Sequence, residues 1–421
     1  MTTDTSFERA RQCFILGNTA FEAGRLDEAE KHFLASLLAL PGRPSTLINL
    51  AATRLRLSRP ADAIEPLRTA IAAQPGDAEA WHHLGTALLE TQQHAQALRA
   101  LDHAIALGQA KPAAHYRRGL ALVALERPAE AAQAWEQTVS LDARFTAAWV
   151  DLGSLMRDLG RPARARECLE RAIALGADDP LIRFQLAGLQ ETAATPEAPP
   201  RDYVEKLFDG YAEGFDNHLV EKLGYRTPQL LADGLSSTGA DRFATALDLG
   251  CGTGLCALPL APWVGRLDGV DLSAAMLDKA RATGRYDRLA HGDVVDHLLK
   301  TERSYALVVA ADVFVYLGAL EPVFQGVKRV LGPGGVFCFS VEAWDEASDA
   351  EPAAAGENKG EASQPGYTLR TTLRYAHREA YVHALARDHG FQVCATQRHA
   401  LRQDHGATVV GLCAWLRLPG A

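Results

Sequence analysis

None of the seven cysteines (Cys13, Cys168, Cys251, Cys256, Cys338, Cys394 and Cys413) forms a CxxC pair or joins histidines at ligand spacing. A structural metal needs several ligands converging at short loop spacings, so no metal site is expected. The cysteines read as buried, reduced thiols, which suits a cytoplasmic protein. Basic runs are also missing: 43 Lys and Arg face 52 Asp and Glu, for a net charge of −9. A grip on phosphate backbones requires clustered cations, so nucleic acid is not an expected partner. The opening MTTDTSFERARQ has no apolar core of a secretory signal. The longest nearly apolar stretch, Tyr305–Leu317, contains Asp312 and is too short to cross a bilayer. No membrane association is expected.

What the first half does contain is a period. Set in rows of 34 from Ala10, the eighth column reads Gly17, Ala51, Gly85, Gly119 and Gly153. The twentieth reads Ala29, Ala63, Ala97, Ala131 and Ala165, and the twenty-fourth Phe33, Leu67, Leu101, Trp135 and Leu169. Antiparallel helices approach closely only where side chains are small, and large columns then fill the space between stacked pairs. Turn signals recur at Ala23-Gly24-Arg25, Ser58-Arg59-Pro60, Glu126-Arg127-Pro128 and Gly160-Arg161-Pro162. This pattern resembles the tetratricopeptide repeat, an all-α solenoid. Five repeats are expected over 10–179, after a tail at 1–9, with Pro180–Gln190 closing the array at residue 190. The resemblance implies a concave face carrying Phe14, Asn18, Asn49, His82, Tyr116 and Arg117, able to bind a protein or peptide or to hold subunits together. Glu79 and His83 stand where a carboxylate-gripping array would want Lys and Arg.

Residues 191–201 (ETAATPEAPPR) are small and Pro-rich and read as a linker. From 202 to 421 apolar runs alternate with helical stretches, the mark of an open α/β sheet. The runs are Ala244–Leu249, Arg266–Val270, Arg288–Ala290, Tyr305–Ala310, Gly335–Val341, Phe391–Ala395 and Val409–Leu416.

The first run leads into Asp248-Leu-Gly250-Cys-Gly252-Thr-Gly254. Glycines let the backbone pass close under a ligand, and the following helix offers N–H donors. A nicotinamide fingerprint would place its third glycine one residue later. Gly269-Val-Asp271-Leu272-Ser273 ends the second run, 17 residues past Gly254, where an acid can accept from ribose hydroxyls. His291-Gly-Asp293-Val294, Asp312-Val-Phe-Val-Tyr316 and Gly332-Pro-Gly-Gly335 follow in order. From Tyr203 onward these landmarks resemble the class I methyltransferases that use S-adenosyl-L-methionine, in particular the ubiquinone/menaquinone-biosynthesis-like superfamily with tetratricopeptide repeats in front. The resemblance implies a Rossmann-like, seven-stranded α/β domain with its last strand antiparallel. It implies Asp248 and the backbone of Gly250, Gly252 and Gly254 at the methionine end of the cofactor. Asp271 and Leu272 would then serve the ribose, and Asp293 and Val294 the adenine.

The acceptor side is less marked. Tyr203–Leu231 is amphipathic and carries Tyr211; it reads either as a lid whose Tyr211 meets the cofactor or as a helix packed on the sheet for stability alone. His377 is a candidate base because histidine titrates near neutrality, with Tyr316 and Asp312 as further candidates. An Asp/Asn-Pro-Pro-aromatic motif is missing after the fourth run, which disfavours methylation of base amines. Residues 343–366 include an acidic, low-complexity stretch expected to be a mobile loop. Three readings stand: a methyltransferase acting on a protein or peptide recruited by the repeats, a small-molecule methyltransferase whose repeats serve assembly or docking, and a non-catalytic scaffold. Substrate and oligomeric state are not specified by the residues.

Overall fold

The computed structural model describes residues 2–108, 110–190, 195–211, 214–216, 219, 223–344, 366–404 and 407–420. The chain divides into two compact units, Met1–Ala177 and Asp178–Ala421.

The first unit is ten helices in antiparallel pairs: α1 (Thr2–Glu22) with α2 (Leu26–Ala39), α3 (Pro44–Arg56) with α4 (Pro60–Ala73), α5 (Ala78–Glu90) with α6 (His94–Ala106), α7 (Pro112–Ala124) with α8 (Pro128–Leu141), and α9 (Thr146–Asp158) with α10 (Pro162–Ala174). Five of them begin on proline, whose fixed φ and missing N–H suit a first turn. The sequence columns are packing positions. All five alanines of the twentieth column have no exposed surface. A methyl group on Gly119 would lie 2.2 Å from Trp135 Nε1, and Gly17, Gly85 and Gly153 stand in the same way against Phe33, Leu101 and Leu169. The turn inside each pair uses a left-handed residue every 34 positions, from Gly24 through Ser58, Gln92 and Glu126 to Gly160. Of the residues expected on the concave face, Asn49 Nδ2 donates to Asn18 Oδ1 at 2.7 Å, and the Tyr116 hydroxyl donates to Asp151 at 2.7 Å.

In the second unit come α11 (Pro180–Ala187), α12 (Arg201–Tyr211), α13 (Thr227–Asp233), β1 (Phe243–Leu249), α14 (Ala257–Leu260), β2 (Val264–Asp271), α15 (Ala274–Ala282), β3 (Arg288–His291) and α16 (Val294–Lys300). They are followed by β4 (Tyr305–Ala310), α17 (Glu321–Val330), β5 (Leu331–Ala343), β6 (Tyr367–Leu369), β7 (Tyr375–His377), α18 (Glu379–Asp388), β8 (Gln392–Asp404) and β9 (Ala407–Arg417). The sheet runs β3-β2-β1-β4-β5 in parallel; β9 then pairs antiparallel with β5, and β8 with β9. All seven expected runs are strands. The short antiparallel pair β6–β7, joined in parallel to Glu342 and Ala343 at the end of β5, was not anticipated. Strand residues alternate between faces as the pleat demands. Val308 and Ala310 pack under α16, α17 and α18, while Leu307 and Val309 pack under α13 and α14.

The helix expected to close the repeat array, α11, falls in the second unit. Phe184 is buried there with its ring 6.1 Å from Tyr203 and 6.2 Å from Tyr375, so the apolar face of α11 is filled by the sheet unit's own aromatics. Part of the expected linker is also held within this unit: the Glu197 carbonyl accepts from the N–H groups of Gly318 and Ala319. Residues 345–365 of the expected loop lie outside the described residues.

Candidate active site

The parallel strands end together at one edge, the place where open α/β sheets hold ligands. Between β1 and α14 the turn passes through Gly250, Gly252 and Gly254 with φ of 63°, 53° and 96°, a region that side chains resist. At Gly250 a methyl group would strike Val313 Cγ2 at 2.5 Å, so the chain after β4 rests directly on this turn. Gly252 has nothing within 4 Å of that position, which leaves an open cradle.

Asp271 ends β2 and joins this turn to its own strand. Its Oδ2 accepts from Gly252 N–H and its Oδ1 from Ser273 N–H, both at 2.8 Å. Burial raises its pKa, and those backbone donors oppose the rise. Each oxygen keeps a second lone pair, which a vicinal diol can use. The Leu272 carbonyl accepts from His291 Nε2 at 2.8 Å, tying the ends of β2 and β3 together.

Asp248 lies under the turn with no exposed surface. Its Oδ2 accepts from the Tyr286 hydroxyl at 2.8 Å, its buried Oδ1 has no N–H or O–H partner among the described residues, and the Cys256 thiol lies against this carboxyl. Burial raises its pKa to about 7. Asp293 caps α16, with Oδ1 accepting from Val295 and Asp296 N–H, so the expected adenine partner also works as a helix N-cap; Val294 beside it is 9% exposed. Among the described residues no group of His, Cys, Asp or Glu is arranged to hold a metal, and no helix is long and apolar enough to cross a membrane.

Helix α12 and the residues after it bring two carboxylates to the same loops. Asp209 accepts from Ser273 Oγ and Asp216 from Thr253 Oγ1. Tyr211 stands edge-on to Phe215 at 5.5 Å, and Phe208 edge-on to Tyr316 at 5.3 Å. Tyr211 and Tyr316 thus belong to one aromatic wall, linked through Phe215 and Phe208, beside the glycine turn.

The three candidate catalytic residues are not brought together as a set. Asp312 follows β4 with a left-handed φ of 57°. Such a backbone costs about 1 kcal/mol or more at a non-glycine residue, and Ser340 offsets it: Oγ accepts from Asp312 N–H and donates to Oδ1, both at 2.8 Å. Arg402 Nη1 donates to Asp312 Oδ2 at 3.0 Å, and Arg402 Nη2 binds Glu342. Asp312 is therefore an anchored ion-pair member. His377 is fully buried on β7, where its Nε2 donates to the Gly318 carbonyl at 2.9 Å and its ring stacks on Tyr381. Burial lowers its pKa to about 4, so it is neutral at physiological pH and walled off from an acceptor. The expectation of His377 as a base does not fit this placement.

Sequence reading missed Tyr286, Asp209, Asp216, Ser340, Glu342 and Arg402. Ser273 carried a signal, since it adjoins Asp271 and starts α15 as its N-cap. Arg402 carried none, because it reaches Asp312 across 90 residues of chain.

Residues 246–335 match the family described as a methyltransferase domain, and 48–114, 82–144 and 146–189 match tetratricopeptide repeats. Human "Methyltransferase-like protein 27" is 42% identical over 94 residues, 21% of this chain and 38% of that protein. The malonyl-[acyl-carrier protein] O-methyltransferase of Yersinia pestis is 29% identical over 177 residues, 41% of this chain and 63% of that protein. The chain thus spans less than two thirds of either relative. The crystal structure of N-methyltransferase NodS from Bradyrhizobium japonicum WM9 in complex with S-adenosyl-l-homocysteine aligns with TM-score 0.39 and 19% identity, over 51% of this chain and 98% of that one.

Proposed function

We propose, for a chain that joins tetratricopeptide repeats to a class I methyltransferase domain, that it moves a methyl group from S-adenosyl-L-methionine to a protein or peptide held by the repeats. The observation that carries the reading is the Gly250–Gly254 turn with Asp271 accepting from Gly252 N–H. It is an open backbone cradle beside a buried carboxylate with spare lone pairs. When bound, the cofactor supplies an electrophilic methyl on a sulfonium, so the chain's work is placement and exclusion of water. Asp271 would accept from the ribose hydroxyls. Asp293 keeps its Oδ2 for the adenine amine while Oδ1 caps α16. Asp248, poised near pH 7 by burial, gains from a cation placed above it. Phe208, Tyr211, Phe215 and Tyr316 would shield the reacting centre.

Calorimetry of S-adenosylmethionine and S-adenosylhomocysteine on the full chain tests the cofactor assignment. Micromolar binding, weakened about tenfold or more in Asp271→Ala through loss of charge-assisted hydrogen bonds, supports it. A wild-type chain that binds neither compound sinks it.

A second reading has a small-molecule acceptor, with the repeats serving to dock the enzyme elsewhere. The partly exposed guanidinium groups of Arg370 and Arg374 favour it, because they can hold a small anionic group without a peptide in the repeats. Cutting the chain between Ala177 and Asp178, which leaves α11 with the unit it packs in, separates the two. A protein acceptor should lose most of its turnover, whereas a free small molecule should keep it.

A further inference from the structure

Of the three catalytic candidates, His377 is enclosed and Asp312 is bound to Arg402 and Ser340. What this end of the sheet offers instead is guanidinium. The Arg374 side chain, 27% exposed, hydrogen-bonds the Tyr316 hydroxyl and pairs with Asp404 at 2.7 Å. That of Arg370, 26% exposed, pairs with Glu342 at 3.0 Å, and Arg378 lies 4.0 Å over the Trp344 ring. Arg402 pairs with both Asp312 and Glu342. Arg402 is out of reach of a ligand at 4% exposure; Arg370 and Arg374 are not. Tyr316 meets Phe208 of α12, and Val313 touches the Gly250 position, so Arg374 stands one hydrogen bond from the wall beside the glycine turn.

We propose that the methyl acceptor is a carboxylate, oriented by the Arg374 guanidinium with Arg370 beside it, and that Tyr316 is the positioning residue for Arg374. The proposal rests on the methyltransferase reading above. An acceptor oxygen uses a lone pair to form the bond to the methyl carbon while the carbon–sulfur bond breaks. The electron pair of that bond goes to sulfur and cancels its positive charge. The products are a methyl ester and S-adenosylhomocysteine, and no proton moves. A carboxyl group with an ordinary pKa near 4 is already ionised at pH 7, so the step needs no base, whereas a protonated amine or an alcohol would. Planar guanidinium matches carboxylate in a two-pronged fit, which presents one oxygen along a fixed line.

The test incubates the full chain with cell lysate and S-adenosylmethionine labelled in its methyl group, then treats the products with mild alkali. Methyl esters release volatile methanol, while N-, S- and C-methyl groups and methyl ethers keep their label. Release of most of the transferred label is the expected result. Transferred label that survives alkali overturns the carboxylate assignment and leaves methyl transfer standing. Absence of transfer overturns the reading beneath it. With the labelled acceptor in hand, Arg374→Gln should lower kcat/KM about tenfold or more at unchanged S-adenosylhomocysteine affinity, and Arg374→Lys should recover part of it. Tyr316→Phe keeps the ring and should act mainly on KM. If Arg374→Gln folds, binds S-adenosylhomocysteine and turns over within twofold of wild type, the arginine assignment fails even for an alkali-labile product.

Discussion

In the repeat unit buried positions are filled by small residues facing large ones, whereas in the sheet unit the deepest positions at the strand ends hold charge. Gly119 faces Trp135 and Gly153 faces Leu169, and most ion pairs of that unit sit on its surface, as Arg59–Asp62 and Arg127–Glu130 do, with Arg54–Glu30 the more enclosed exception. At the edge of the sheet, Arg402 and Glu342 meet at 4% and 3% exposure, with Asp271 and Asp248 buried nearby in the sequence of strand ends. Shape complementarity serves stability and can be copied from repeat to repeat. Buried charge costs solvation and persists where a ligand or reaction uses it.

The largest expected effect tests that contrast on ion pairs. Arg402→Met leaves Glu342 and Asp312 without their shared partner in a poorly solvated place, and breaking a buried pair in this way costs about 3–5 kcal/mol. Arg164→Met removes the bridge to Glu136 in the repeat unit, where the partners are 28% and 39% exposed, and should cost under about 1 kcal/mol. Hydrogen exchange on the full chain, read peptide by peptide, gives both values. Equal losses would show that the sheet unit's charge network is no more committed than a surface bridge.

A pair of glycines sharpens the same contrast. Gly119→Ala would overpack against Trp135 and should destabilise the repeat unit by about 1–3 kcal/mol without changing cofactor affinity. Gly252→Ala meets no atom within 4 Å and suffers only its left-handed φ of 53°, a strain of about 1 kcal/mol. Its main effect should be weaker S-adenosylmethionine binding, because the methyl group fills the cradle. Unfolding and calorimetric binding of the two variants should therefore move in opposite order; the same order for both would mean that the open side of Gly252 is not where the ligand lies.

How far each unit was legible follows from the same difference. The columns of 34 become packing positions directly, because a shape contact between Gly17 and Phe33 or Gly85 and Leu101 involves residues close in sequence. The seven apolar runs become strands, and Asp271, expected at the ribose, accepts a hydrogen bond from Gly252 of the glycine turn. The β6–β7 pair escaped because three-residue strands are too short for alternation to show. His377 was misjudged because its residue type suggests titration, while its burial under Tyr367 and Tyr381 depends on a fold no local pattern records. Arg402 and Arg374 matter only through partners brought in from other strands, and charge gives no period to read.

The smallest effect is a difference in acid response. In the repeat unit burial lowers the pKa of His82 to about 4 and lowers those of His83 and His115, and arginine partners lower Glu28, Glu30 and Glu130, while burial raises the carboxyl of Asp151. A histidine lowered in the folded state is protonated first in the unfolded chain, so its contribution is lost as pH falls from 6.5 toward 4. In the sheet unit His377 and His297 act in the same direction, and Arg201 lowers Asp296, but Asp248 at about 7, Asp271 and Asp312 are raised by burial. A raised carboxyl binds its proton first in the folded state and so adds stability as pH falls from 7 toward 3.8. The two sets oppose one another strongly in the sheet unit, and in the repeats only Asp151 among the shifted carboxyls opposes the histidines. From pH 7 to 5.5 the repeat unit should lose about 1 kcal/mol for a histidine lowered as far as His82, while the sheet unit stays nearly level. Hydrogen exchange corrected for intrinsic rates measures each unit within the full chain. Asp248→Asn should then expose the histidine dependence of the sheet unit, making it acid-sensitive like the repeats. If it stays level, Asp248 is ionised in the folded protein, and the buried charge at the cofactor turn is balanced by a partner other than a proton.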